Sequence, residues 1–567
     1  MNIVKPLADT VLRGNLVNVY TGMIYESYIG IKDGFVNYVG KNPIPSEERI
    51  DLRSKYILPG YIDAHIHIES SMMIPSQYAR VVVPRGTTCV IADPHEIANV
   101  KGIEGIKFMI KDSKRVSLKV YFMIPSCVPA THLETSGATI GVDEIKKLRR
   151  FDKIIGLGEV MNFPGVISRN KDVMGKIYTC KDMPIDGHAP GLKGLDLCNY
   201  ISAGILSDHE SAEKEEAFEK LSLGMWVMIR EGSASKNLSD LIGIVSKENS
   251  RRFMLVIDDK HVEDLLAEGD MDHNLRKAVS SGLDPIDAIR MVTLNPAEYY
   301  GLKHLGGISP GKFADLVVVD NLKDFNADLV MIDGKIVAKN GQYLEEVKEK
   351  LSNKSIMKTI NLREIYPEDL TIKYFGEKGS VTVRVIGVVE HQIHTKELRH
   401  NLGVKDGKLV SDTEHDILKI CVVERHKNSG RIGKGFVKGF GLKKGAIASS
   451  IAHDSHNIIV VGVDDNDMCL AVNRLRKIRG GIIAVNDNRI LGEVPLPVGG
   501  LMSTWKAENI VVNLKKLYEE VSKLGCSLDA PFMTLSFLAL PVIPELKITD
   551  YGLVDVKKFD FVDLIVG

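Results

Sequence analysis

Seven cysteines are spread over 567 residues, and none forms a C-x-x-C pair. An odd, unpatterned set argues against a disulfide framework and for reduced thiols in a cytoplasmic protein. No apolar run reaches the roughly 18–20 residues that span a bilayer, so no membrane is expected as a partner. The opening MNIVKPLADT lacks the apolar core and small-residue cleavage site of a secretory leader. Formal net charge is −1, which leaves no global attraction to nucleic acid or an anionic surface. There is no fixed-period repeat and no low-complexity segment. The glycine- and lysine-rich stretch GRIGKGFVKGFGLKKGAIASSIAHDSHN (430–457) fits neither the G-x-x-x-x-G-K-[ST] phosphate loop nor the dinucleotide fingerprint. It reads as flexible turns.

What remains is an ordinary globular composition, 44% hydrophobic and 26% charged, at a length that predicts two to four domains. Residues 14–40 alternate apolar and polar positions between turns such as KDG, the texture of short strands. The same texture returns at 307–342. Between them, short apolar runs alternate with helix-like segments. Eight candidate strands fall near 61–67, 87–92, 117–125, 153–159, 184–188, 204–209, 225–230 and 253–258. Strand–helix alternation implies parallel strands joined by crossovers. Eight such units in about 240 residues suit a (β/α)8 barrel, with an open doubly wound sheet as the competitor. The expected organisation is α/β: residues 1–56 and 306–350 build a small β-sandwich from both sides of a barrel at 57–305. Residues 351–567 read as a separate α+β domain.

Polar residues collect at the carboxyl ends of these strands. The first ends in His65 and His67, and the second in Asp93, with His95 just after it. The fourth ends in Glu159, the fifth in His188, and the sixth in Asp208, His209 and Glu210. The seventh ends in Arg230 and Glu231, the eighth in Asp258 and Asp259. In a barrel these ends converge on the face that carries active sites. Side chains two apart on a strand point the same way, so His65 and His67 both face the axis. Imidazoles and carboxylates in such a set suit zinc, iron or manganese. Four histidines and two carboxylates exceed the needs of one tetrahedral ion. They fit two metals, with Glu159 as the bridge.

The segment LPGYIDAHIHIE, followed by GE, GHAPG, SDHE and IDD, resembles the amidohydrolase superfamily. More narrowly, DAHIHIESSM, ADPHEIANV, DGHAPGL, SDHES and AHDSHNIIVVG resemble the bacterial adenine deaminases over nearly the whole chain. That resemblance implies that His65 and His67 hold the more buried of two metals and that Glu159 bridges them. It implies that His188 and His209 hold the second, and that Asp258 touches the first and serves as the acid–base group. Many superfamily members carry a carboxylated lysine at the bridge. GLGEV has none, which is the adenine deaminase pattern. The implied cofactors are two manganese or iron ions, and the implied assembly is a homo-oligomer, a dimer in the first instance.

The expected reaction is hydrolytic deamination of adenine to hypoxanthine and ammonia, in purine salvage. Divalent ions lower the pKa of a bound water towards neutrality, and C6 of adenine is the electrophile. Asp258 can take the water's proton and pass it to the departing amine. Glu210 is the candidate proton donor to the ring, or else an acid favoured by the dipole of the helix that follows it. The H-x-E and P-C-x-x-C architecture of nucleotide-type deaminases is excluded, because the chain has no C-x-x-C. Glu69 continues the i+2 series, as a partner of a ligand, a ligand to an additional ion or a polar cap of the strand end. Asp93 and His95 sit at the site or simply start a helix. Arg230 orients a purine or pairs with a carboxylate. The resemblance places His453, Asp454 and His456 over the barrel mouth. The alternatives are an amidohydrolase acting on a cyclic amide or an amino-sugar amide, and an inactive scaffold on the same fold.

Overall fold

The computed structural model describes residues 6–233, 235–347, 355–389 and 392–566. Four strands precede the barrel: β1 (Ala8–Asn18), β2 (Met23–Lys32), β3 (Phe35–Gly40) and β4 (Ser46–Pro59). The KDG turn joins β2 to β3 with Asp33 at φ 52° and Gly34 at φ 83°, the left-handed pair that a tight hairpin needs.

The barrel strands are β5 (Tyr61–Ile66), β6 (Thr87–Ala92), β7 (Lys119–Pro125), β8 (Ile154–Val160), β9 (Ile185–Gly187), β10 (Ser207–Asp208), β11 (Trp226–Arg230) and β12 (Phe253–Val256). They form two parallel sheets, β5 to β9 and β10 to β12. Two seams close them into a ring. At one, Leu206 N–H donates to the Ile185 carbonyl oxygen at 3.3 Å. At the other, Asp258 N–H donates to the His65 carbonyl oxygen at 3.0 Å, and His67 N–H to that of Asp258 at 3.1 Å. The sixth and eighth strands are shorter than the apolar runs suggest. Asp258, at φ 61°, turns the chain out of β12 just where its side chain meets the axis.

After the barrel come β13 (Leu316–Val319), β14 (Ala327–Ile332), β15 (Lys335–Lys339) and β16 (Gln342–Tyr343). They join β1–β4 in one eight-stranded sheet through β4, which pairs parallel with β1 and antiparallel with β13. The far edge folds back: Phe35 bridges to Phe313, and the two halves enclose Leu12, Ile29, Ile57, Leu316, Val318 and Met331. This is the sandwich built from both sides of the barrel. The expected boundary between residues 350 and 351 lies outside the described residues.

Beyond residue 355 the chain forms a ten-stranded sheet packed with the helices Asp465–Ile478 and Ala507–Lys523. The first helix is capped by Asp464, whose carboxylate accepts the N–H groups of Asn466 and Asp467. It buries Met468, Val472 and Leu475 against Cys421, Val460 and Ile483. Among the described residues no helix is long and apolar enough to cross a membrane. All seven cysteines are free.

One expectation is corrected here. The glycine-rich stretch read as turns contains two strands, Ile432–Lys438 and Ala446–Ser449, both inside the ten-stranded sheet. The glycines serve close packing. A Cβ on Gly433 would run into the Thr549 carbonyl oxygen, and one on Gly435 would lie 3.0 Å from Leu553 Cδ2. The hairpin formed by Leu546–Thr549 and Gly552–Asp555 lies directly on this strand. Gly433→Val is therefore expected to destabilise the C-terminal domain by about 1–3 kcal/mol or more, the cost of overpacking a rigid contact. A urea-unfolding midpoint unchanged from the parent protein would refute that reading.

Candidate metal centre

The carboxyl ends of the barrel strands bring six expected side chains into one cluster. His65 and His67 lie on and just past the end of β5, both at most 3% exposed. His65 Nε2 is 3.4 Å from Glu159 Oε1 and 3.6 Å from Asp258 Oδ1. His67 Nε2 is 2.8 Å from Glu159 Oε1 and 3.2 Å from Asp258 Oδ1. The other ring nitrogen of His67, Nδ1, donates to the Asp93 carbonyl oxygen at 3.0 Å. That bond fixes the tautomer and leaves the Nε2 lone pair facing the two carboxylates.

The second oxygen of Glu159 faces the other way. Its Oε2 is 2.8 Å from His188 Nδ1 and 3.8 Å from His209 Nε2. Three groups with metal-ligand spacing share Glu159: His65, His67, Glu159 and Asp258 in one, Glu159, His188 and His209 in another, and Asp93, His95 and Glu159 in a third. His65 Nε2, Glu159 Oε1 and His188 Nδ1 are buried without a hydrogen-bond partner. Buried polar atoms are normally paired, and convergent orphaned lone pairs fit a cation. This donor set can hold two divalent ions.

Electrostatics agree. Burial works against charge on Glu159, but His67, His188 and His65 outweigh it and hold the carboxyl well below its ordinary range. Asp258 likewise stays anionic against burial, through His65, His67 and Arg230. Burial opposes protonation of His65, yet Asp258 and Glu159 raise it to about 10, so a cation bound at Nε2 would take the place of a proton.

A network behind the cluster positions His188 and His209. Lys220, fully buried, donates to Asp208 at 2.8 Å and to Glu216 at 2.7 Å. Asp208 in turn accepts the N–H groups of Ala189, Glu210 and Ser211, so one carboxylate ties the loop of His188 to the loop of His209. Burial alone would raise Asp208, but Lys220 and its neighbours bring it to about 2. Tyr200 accepts the His188 N–H and donates to the Val160 carbonyl oxygen.

The remaining expected residues fall in different places. Arg230 forms a fork on both oxygens of Glu210, one contact at 3.0 Å, and also reaches Asp258 Oδ2 at 3.0 Å. Glu210 lies 3.7 Å from His188 Nδ1 and 3.6 Å from His209 Nε2. Asp93 is fully buried with both carboxylate oxygens unpaired, pushed up to about 8 by burial and by Glu159. His95 packs edge-on to His67 and lies 3.8 Å from both Asp93 and Glu159, so it reaches the cluster while also opening the helix His95–Ser113. Glu69 does not enter the cluster. Its Oε1 accepts the Ile97 N–H at 3.2 Å, in the first turn of that helix. Glu231 turns away to Lys277.

Above the cluster is a cavity of about 330 Å³, within the range of small-molecule sites. His453 and Asp454 line it, whereas His456 sits fully buried behind them. Its roof was not foreseen: Ile393, Phe537, Leu540, Val542, Ile543 and Pro544 from the C-terminal domain form an apolar cover. Lys547, buried and brought to about 7 by that burial, donates to the carbonyl oxygens of Ile393 and Phe537 and pins the two roof segments together. Gly158 was also overlooked. A Cβ there would collide with the Asp93 carboxylate, so the glycine of GLGEV makes room beside Glu159.

Comparison with known proteins places this geometry. Residues 56–337 match the amidohydrolase family and residues 392–560 match the adenine deaminase C-terminal domain. The adenine deaminase of Dehalococcoides mccartyi is 46% identical over 98% of this chain and 96% of its own. Those of Archaeoglobus fulgidus and Methanothermobacter thermautotrophicus are 47% and 48% identical, each over 98% of this chain and 95% and 99% of their own lengths. A crystal structure of an adenine deaminase covers 58% of this chain and 99% of its own, at 19% identity and a TM-score of 0.44. With relatives this similar along nearly its full length, the chain belongs to the adenine deaminase family of amidohydrolases.

Proposed function

We propose that this chain hydrolyses adenine to hypoxanthine and ammonia, in cytoplasmic purine salvage, with two manganese or iron ions. The observation that supports it most is the sharing of Glu159 between two histidine groups beneath an apolar roof. The relatives named adenine deaminase supply the substrate. In this reading His65, His67, Glu159 and Asp258 hold one ion, and Glu159, His188 and His209 the other. When bound, the ions lower the pKa of a water and so supply a nucleophile near neutral pH.

The chain's own residues do the rest. The apolar roof excludes bulk water, and Phe537 offers a flat face to the purine. Asp258, anionic and braced by Arg230, takes the proton of the attacking water as its oxygen bonds to C6. The same carboxyl then gives that proton to the exocyclic amine as the C6–N bond breaks and ammonia leaves. Glu210, held at the cavity by the Arg230 fork, takes the remaining proton of the water from the new C6 hydroxyl and passes it to the ring nitrogen, which leaves the C6 carbonyl and ring N–H of hypoxanthine. Seven free thiols suit a reducing compartment. The assembly in this reading is a homodimer, and Tyr178, Leu195 and Phe218, each exposed on one of three successive helices, are apolar groups that an interface could cover.

Protein loaded with manganese or iron should release one ammonia per adenine consumed, followed by the loss of adenine absorbance. Turnover of a cyclic amide with no ammonia from adenine would overturn the assignment. Removing the ions with a chelator should abolish turnover, and adding Mn²⁺ back should restore it. Asp258→Asn should lower kcat by about 10²–10⁴-fold while the metal content of the protein stays near that of the parent. Undiminished kcat in that variant would refute the acid–base role.

A further inference from the structure

A second, smaller cavity of about 30 Å³ lies beside the first, between the barrel and the C-terminal domain. It has room for about one water or one ion. Glu69, Glu96 and Asp259 border it from the barrel side, and His453 from the other. Glu69 and Glu96 are at most 2% exposed. Among the described residues no lysine or arginine forms an ion pair with any of the three carboxylates. Donors are scarce. Ser70 Oγ lies within reach of both Glu96 and Asp259, but its single proton serves only one of them. Glu69 Oε2 is buried with no hydrogen-bond partner.

Two imidazoles face Glu96. His453 Nδ1 is 3.7 Å from its Oε1, and His456 Nε2 is 3.8 Å from its Oε2. These distances are too long for hydrogen bonds, yet they match the 3.6 and 3.8 Å spacings of His65 to Asp258 and His209 to Glu159. Ligand atoms of Glu96, His453 and His456 all lie within 4.8 Å of one another. His456 is fully buried, and its Nε2 is unpartnered. Its Nδ1 accepts the Ala452 N–H at 3.3 Å, which puts the ring proton on Nε2 and directs it at Glu96. His456 therefore presents an N–H rather than a ligand lone pair, while His453 presents a ligand nitrogen.

We propose that Glu96 and His453, completed by Glu69 and Asp259, bind a third divalent cation, separate from the pair that shares Glu159. A site of several carboxylates and one imidazole favours Mn²⁺ over softer ions. Its ligands come from the barrel and from the C-terminal domain, so the ion would clamp the roof-bearing domain to the barrel mouth.

The test counts metal in the folded, full-length protein, independently of turnover. Metal-depleted protein reloaded with Mn²⁺ and desalted should hold three equivalents by plasma mass spectrometry. Glu96→Gln and His453→Phe, the latter keeping the stack on Phe537, should each hold two. Glu159→Gln should lose the shared pair and retain one, which separates this site from the main one. Anomalous scattering at the manganese edge should place a peak between Glu96 and His453 in the parent protein. A parent that binds only two equivalents, or no anomalous peak between these residues, would overturn the proposal whether or not the variants fold.

Discussion

Glu159 sets one carboxylate oxygen 2.8 Å from His67 and the other 2.8 Å from His188, and the rest of the barrel is arranged around that division. A carboxylate with 3% exposure stays anionic only where positive or polarised partners face both oxygens. Three strands supply the four histidines, so the strands must close into a ring for the charge to be tolerated. The seam between β12 and β5 shows the coupling directly. Asp258 exchanges backbone hydrogen bonds with His65 and His67, and its side chain meets the same two rings. Closure of the fold and assembly of the cluster are one event at that seam.

The two ends of the chain answer different problems. The sandwich uses β4 as a shared strand and makes no claim on the cluster. The C-terminal domain shapes it. Lys547 has no ion-pairing carboxylate among the described residues and spends its donors on the carbonyls of Ile393 and Phe537. A buried ammonium without a counter-charge is costly, and its hydrogen bonds to two roof segments are what it offers in return. Lys547 thereby ties the two segments of the roof to each other.

The sequence exposed some of this more readily than the rest. The convergence of His65 and His67 could be read because a strand has a strict period of two, and that of the other cluster side chains because each closes an apolar run. The barrel followed from counting those runs. Glu69 keeps the same period yet points elsewhere, because β5 ends at Ile66 and the chain enters a 3-10 turn at Ile68–Ser71. Periodicity fails where the strand does. The roof could not be read because 537–544 has no period, and its function depends on a fold-back across several hundred residues. Gly433 and Gly435 were mistaken for turn formers. Their reason is a neighbour more than 100 residues away in sequence, visible only in three dimensions.

The acids around the cluster carry one more consequence. Asp93 is pushed up to about 8, and Glu69 and Asp454 to about 7, each chiefly by burial and then by nearby carboxylates or weakly opposed by histidines. Evolutionary economy does not explain so many buried carboxyls in one region, but electrostatics can. A divalent ion is the largest local charge in any such site and inverts the balance for every acid near it. With cations in the proposed positions, acids that burial drives towards the neutral form are drawn back to carboxylates. In that state the negative charge of the barrel mouth would be matched by the cations rather than removed by protonation.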